Sequence, residues 1–290
     1  MNDRLTLMFV HAHPDDEAFG SAGTLTRYSA EGAQTCLVVS TRGEVGEIHD
    51  PDLDEAEARP RLGQIREEEL RRAVEILGVT HLDFLGYEDS GMVGTPENTN
   101  LRCFHQSSLD EAAGRLVALI RRYRPQVVVS YGEDGGYNHP DHVRTHLVTA
   151  CAFQDAGNPL RFPEAGEAWQ PQKLYGTGFS RKAMRSLWDA MRERGVRWPF
   201  GEDGDEEPPN WGSPDERLTA TIDVSAYVPK TRQALRQHRT QFDPDGPWMN
   251  LADDLAVLAF GREYFVLLRS ILPTPVPDQE DDLFTGVRPT

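Results

Sequence analysis

Positive charge is what this chain is short of. Its 30 lysines and arginines face 47 acids, for a formal charge of −17 over 290 residues. Such a chain repels phosphate backbones, and no basic stripe interleaved with aromatics offsets the acids, which excludes nucleic acid as a partner. Cysteine is scarce. Cys36, Cys103 and Cys151 are odd in number and far apart, which excludes both a disulfide framework and a cysteine-based zinc knuckle. Cys36 lies in an apolar run and reads as a small packed hydrophobe. No apolar stretch approaches the ~20 residues that cross a bilayer, so no membrane partner is expected. A charged start followed by an apolar core and a cleavage site is also missing. Met1-Asn2-Asp3-Arg4 leads straight into a strand-like run, and the expected compartment is the reducing cytosol. No internal repeat is present. Where a nucleotide-binding Rossmann domain needs G-x-G-x-x-G, the chain has HPDDEAFG (13–20), which removes that class.

What is present is an alternation of strands and helices. Leu5 to His11 is a short apolar strand, followed by helical spacing from Ala18 to Glu31. Strands follow at 35–40, 81–85 and 127–131, separated by helices at 61–77 and 109–124, with another helix at 142–153. This rhythm predicts βαβ units in a Rossmann-like, doubly wound, mostly parallel α/β sheet. Right-handed crossovers give a central order of 3-2-1-4. The expected division is a catalytic, metal-binding domain over residues 1–170 and a smaller C-terminal α+β cap over 171–290. The cap is expected to hold strands at 173–179 and 218–224 and helices at 181–194, 228–239 and 253–260. It also has an acidic Pro/Gly surface loop at 201–216 and, from Leu272, an extended arm.

Two clusters stand just past the first and fourth strands: His13-Pro14-Asp15-Asp16-Glu17 and His139-Pro140-Asp141-His142. In a 3-2-1-4 sheet these strands are neighbours, and the crevice at their carboxyl ends is where such sheets bind ligands. Imidazole nitrogen and carboxylate oxygen hold catalytic zinc, with one position left for water. His13, Asp16 and His142 would supply such a set. Asp15 would point away from its neighbour toward the water, and His139, one turn before His142, could face the same crevice. Plainer roles compete. Asp15 or Asp16 could simply cap the following helix. His11 shares a strand face with His13, and His146 lies four residues beyond His142, so either could be a ligand instead. Two histidines and a carboxylate also fit a non-haem iron oxygenase, so Fe2+ competes with Zn2+. A spare acid and base beside the metal favour hydrolysis over oxygenation, and over a metal-stabilised sugar-binding module that needs neither. Arg66 by itself reads as one of many solvated helix charges, Asp89 as a turn former, and Tyr137 as packing on the Gly135-Gly136 turn. Oligomeric state is open, a homo-oligomer included.

AHPDDE after the first strand and GGYNHPDH after the fourth resemble the LmbE/PIG-L family of zinc-dependent de-N-acetylases. TRGEVGE (41–47), REEEL (66–70), DSGM (89–92), QKLYGTGF (172–179), ALRQHRTQFDPDG (234–246) and EDDLF (280–284) resemble its mycothiol-pathway branch. That branch contains the N-acetylglucosaminyl-inositol deacetylase and the mycothiol S-conjugate amidase. The resemblance implies a small-molecule glucosamine conjugate as substrate and hydrolysis of its N-acyl amide. It makes His13, Asp16 and His142 the metal ligands and Asp15 the general base. It also makes His139 the acid or oxyanion stabiliser paired with Asp141, and Tyr137 a mobile residue that polarises the carbonyl. Arg66 and Asp89 become substrate contacts, and His11 and His146 pack behind the site. EDDLF tells against a wholly disordered tail. Gly20 stands where the conjugate amidases carry lysine, whereas the C-terminal half is more similar to the amidases than to the deacetylases.

Overall fold

The computed structural model describes residues 4–198, 212–274 and 276–287. Strands β1 (Thr6–His11), β2 (Gln34–Thr41), β3 (His81–Tyr87), β4 (Val127–Tyr131), β5 (Lys173–Gly178), β6 (Ala220–Asp223) and β7 (Arg262–Ser270) form one sheet in the order 3-2-1-4-5-7-6. The first five are parallel; β7 and β6 add antiparallel. The expected central order is therefore observed, and the sheet runs uninterrupted past residue 170. Sequence reading missed β7. Its REYFVLLRS run is charged at both ends and has partly exposed positions, so it does not read as a fully buried strand.

Helices α1 (Ala22–Ala30), α2 (Glu55–Ala58), α3 (Leu62–Leu77), α4 (Leu109–Tyr123), α5 (Pro140–Asp155), α6 (Arg181–Glu193), α7 (Val228–Leu235) and α8 (Asp253–Phe260) complete the described fold. Successive strand side chains point to opposite faces, and the two cores follow that period. Leu7 and Phe9 pack with Leu25, Leu70, Tyr175 and Phe265 on one face. Met8 and Val10 pack with Leu116, Ile120 and Val148 on the other. The arm returns to the sheet: Leu283 and Phe284 are fully buried, and Tyr28 Oη donates to Asp282 at 2.8 Å. Most of the acidic loop, 201–211, lies outside the described residues.

One boundary differs in a way that matters for the site. Helix α1 starts at Ala22, not Ala18, because Gly20 (φ 114°) takes a conformation no helix can hold. Its N-cap, Ser21, makes no side-chain capping bond. Buried Glu263 from β7 instead accepts the Gly23 and Thr24 N–H groups, both at 2.8 Å. Asp15 and Asp16 are thereby free of capping duty.

Candidate active site

Strands β1 and β4 pair directly, Leu7 opposite Val127 and Phe9 opposite Val129, so the loops that follow them open side by side. The first loop is a tight turn held by its own acids. Asp16 Oδ2 accepts the His13 N–H at 2.7 Å, and Glu17 Oε2 accepts the Asp15 N–H at 3.0 Å. The two neighbouring aspartates diverge. Asp16 meets the Tyr131 hydroxyl at 2.7 Å, His13 Nδ1 at 3.6 Å and His142 Nε2 at 3.4 Å. Asp15 turns to the Arg66 guanidinium, 3.3 Å away.

The second loop needs glycine at 135. Its φ is 63°, and a Cβ there would lie 2.7 Å from that of His142. His142 Nδ1 donates to the Gly135 carbonyl at 3.0 Å, which leaves the Nε2 lone pair facing Asp16. The Tyr131 ring stacks on His142 with centroids 4.2 Å apart. His139 is the N-cap of α5, and its Nδ1 accepts the Asp141 N–H at 3.1 Å. The His139 proton therefore sits on Nε2. Tyr137 stands at the mouth, 58% exposed, with its hydroxyl 3.4 Å from His142 Nε2.

A third segment, after β3, closes the site and changes one expectation. The Asp141 side chain does not pair with His139; only its backbone does. Its buried carboxylate accepts the Ser90 N–H at 2.9 Å and the Ser90 hydroxyl, and lies 3.2 Å from His13 Nε2. The reason is positional. Residues 139 and 141 both lie at the start of α5, where the His139 ring caps the helix and Asp141 projects toward the Ser90 turn. Asp89 adds a carboxylate oxygen 3.7 Å from His13 Nε2.

Charge follows from this packing. Burial works against a charged His13, but Asp89, Asp141 and Asp16 outweigh it and hold its pKa well above 6.5. Burial lowers His142 to about 3, and burial with the nearby His13 lowers His139 to about 4, so both rings are neutral. For Asp16, His142 and His13 overcome burial and hold it below the ordinary carboxylate value. Asp15 rises to about 6 because burial outweighs the attraction of Arg66.

The donor set fits a divalent metal. Tetrahedral bonds of about 2.0–2.2 Å place neighbouring ligands about 3.3–3.6 Å apart. The Asp16 oxygens stand 3.6 Å and 3.4 Å from His13 Nδ1 and His142 Nε2. His13, His139 and His142 also bring ring nitrogens within 4.8 Å of one another. His139 Nδ1 is already engaged, however, and His13 Nε2 faces acids. His13 Nδ1 and His142 Nε2 could hold an ion together with Asp16, whose oxygens face both, while His13 with Asp89 and Asp141 forms a second group of potential ligands. His11 and His146 bond elsewhere, to Ser21 Oγ and to the Tyr131 carbonyl, both at 2.9 Å.

Arg66 is not a solvated helix charge. It is 3% exposed, and its guanidinium donates to the Gly43 and Pro14 carbonyls at 2.8 and 2.6 Å. Asp89 does form the turn that its sequence suggests, accepting the Gly91 N–H at 2.8 Å, while also facing His13. Sequence reading missed Ser90, Tyr131 and the buried contact of Glu17 with His238 at 2.6 Å. Tyr131 ends its strand and had a positional signal. Glu17 and His238 are 221 residues apart and had none. In that pair burial would lower the His238 pKa, and the Glu17 carboxylate reverses the effect.

The sequence profile of the family described as GlcNAc-PI de-N-acetylase (PIG-L) matches residues 8–153. Over 97% of its length the chain is 42% identical to a Geodermatophilus obscurus protein, 97% of which is covered, named 1D-myo-inositol 2-acetamido-2-deoxy-alpha-D-glucopyranoside deacetylase. It is 38% identical, over 99% of both chains, to the mycothiol S-conjugate amidase of Streptomyces coelicolor. The fold is shared with the N,N'-diacetylchitobiose deacetylase of Pyrococcus horikoshii, at a TM-score of 0.63 and 19% identity, covering 94% of this chain and 86% of that one. Both His/Asp clusters fall inside the matched span, and the chain belongs to the PIG-L family of de-N-acetylases.

Proposed function

We propose that this amide hydrolase removes the acetyl group from the glucosamine nitrogen of an N-acetylglucosaminyl-inositol, with zinc held by His13, Asp16 and His142. One observation carries the proposal: Asp15 sits beside that donor set, with a carboxylate that turns away from it toward Arg66 and so stays free of the ion. Fe2+ satisfies the same ligands. When bound, the ion acts as a Lewis acid toward the carbonyl and acidifies water.

The chain's own groups account for the proton transfers. Asp15 takes a proton from the attacking water as the new C–O bond forms, a role worth about 10²–10⁴-fold. The neutral His139 offers a hydrogen bond from Nε2–H to the carbonyl oxygen as charge develops there, the proton staying on the ring, and the Tyr137 hydroxyl is placed to do the same from the mouth. Asp15 then passes its proton to the amine nitrogen as the C–N bond breaks, leaving a free amine and acetic acid, which ionises to acetate. Asp89, and Arg66 through its hold on the first loop, shape the sugar-facing side.

Gly20 favours the deacetylase over the conjugate amidase. Its φ of 114° is strained for any residue with a side chain, so a lysine would require a different turn. The test is amine release by zinc-loaded protein from N-acetylglucosaminyl-inositol and from a bimane conjugate of mycothiol. Faster turnover of the first substrate is expected. Faster turnover of the second assigns the amidase function, and absence of both overturns the proposal.

A further inference from the structure

Resting on the hydrolase function proposed above, we infer that His238 positions the base: it holds Glu17, and Glu17 holds the backbone of Asp15. The Asp15 φ of 112° is a conformation that residues with side chains rarely adopt, and such strain persists only where surrounding contacts enforce it. The enforcing contacts here form a closed circuit. Glu17 Oε2 accepts the Asp15 N–H at 3.0 Å, while Glu17 Oε1 meets His238 Nε2 at 2.6 Å, with both side chains fully buried. His238 lies in the loop after α7. That loop is tied to α3 through Thr240, whose N–H and hydroxyl both donate to Glu69, at 2.9 and 2.6 Å. Three residues before Glu69, on the same helix, Arg66 donates to the Pro14 carbonyl at 2.6 Å and reaches the Asp15 carboxylate at 3.3 Å.

Asp15 is therefore gripped twice, by its amide through Glu17 and His238 and by its carboxylate through Arg66. The two grips join behind it through Glu69 and Thr240. Every member of the frame is almost fully buried: Glu17 0%, Arg66 3%, Glu69 2%, His238 0% and Thr240 0% exposed. None of these contacts is made by a side chain of His13, Asp16 or His142; those that reach the turn fall on the Pro14 carbonyl and on the Asp15 amide and carboxylate. A C-terminal segment thereby reaches the chemistry without lining the site.

The test uses the full-length, zinc-loaded enzyme. His238→Gln is expected to lower kcat about 10–100-fold, as a misplacement near 1 Å does, with KM and zinc content unchanged. Asp15→Asn combined with His238→Gln should be no slower than Asp15→Asn alone, because His238 acts through Asp15. A purely structural role predicts losses that multiply. Hydrogen exchange at the Asp15 amide should accelerate in His238→Gln, a readout that needs no substrate and survives failure of the functional proposal. Thr240→Val, which removes the hydroxyl's contacts to Glu69 and Gln241 and keeps the backbone one to Glu69, should lower kcat several-fold even if His238→Gln does not fold. Unchanged exchange at Asp15, multiplying losses, zinc loss in His238→Gln, or normal kcat in Thr240→Val would each overturn the inference.

Discussion

Replacing Asp141 by alanine tests how the His13 imidazole, proposed above as a metal ligand, is aimed. In the structure Asp141 Oδ2 lies 3.2 Å from His13 Nε2, while the opposite ring nitrogen, Nδ1, faces Asp16 at 3.6 Å. A carboxylate on one nitrogen fixes the proton there and leaves the other lone pair for the metal. Without it, Nε2 has only Asp89 at 3.7 Å, too far for a good hydrogen bond. Loss of such an orienting partner weakens metal binding about 10–100-fold, or about 1.4–2.8 kcal/mol. A second cost is separate. The Ser90 N–H, 2.9 Å from Asp141 in a buried turn, loses its acceptor and destabilises the metal-free fold by about 1–3 kcal/mol. The assay is zinc competition against a chelating dye, with thermal unfolding of the metal-free protein recorded alongside. Asp141→Asn keeps an acceptor for both Ser90 and His13, so its zinc affinity should fall by less than about tenfold. Alanine and wild type binding zinc equally, or asparagine as weak as alanine, would refute the role.

Asp15→Asn should keep zinc, by elemental analysis, yet lose about 10²–10⁴-fold in kcat; normal turnover would remove Asp15 as the base. In the wild type, the acid limb of the activity profile should lie below about 6, because the base works only when ionised and the ion's charge lowers its pKa from the metal-free value; an acid limb above 6 would count against Asp15. The stability contribution of Asp15 to the metal-free protein runs the other way. A raised carboxyl favours the fold below the unfolded value of 3.8, and that contribution is lost as pH rises through about 6. Lys173→Met should cost about 3–5 kcal/mol in urea unfolding, because Glu280 then stays buried without its cation. Adding Glu280→Leu should recover much of that loss, and a single variant as stable as wild type would show the pair to be energetically idle. Gly43→Ala should reduce both stability and kcat: φ is 67°, and the new Cβ would lie 2.0 Å from Arg66 Nη1. Wild-type kinetics in that variant would show that Arg66 can move without consequence.

Much of the framework was legible from local pattern. The β1 to β4 order followed from alternation and crossover handedness, because those rules act along the chain. β7 escaped because an antiparallel strand with charged ends and half-exposed positions lacks the apolar run that marks β1 or β4. The start of α1 differs because helical spacing after residue 18 says nothing of the backbone at Gly20, which the tertiary contacts of the turn decide.

By itself, the sequence determined the chemistry: which loops carry imidazole and carboxylate, and which sheet ends bring those loops side by side. Those are properties of residue type and periodicity. Only the tertiary structure decided which atom of each residue faces which. It turned Asp141 from His139 to His13 and Ser90, buried Arg66 against two carbonyls, and joined Glu17 to His238. The physical reason is reach. A hydrogen bond is made within about 3 Å, and residues 221 positions apart come that close only when the whole chain has packed.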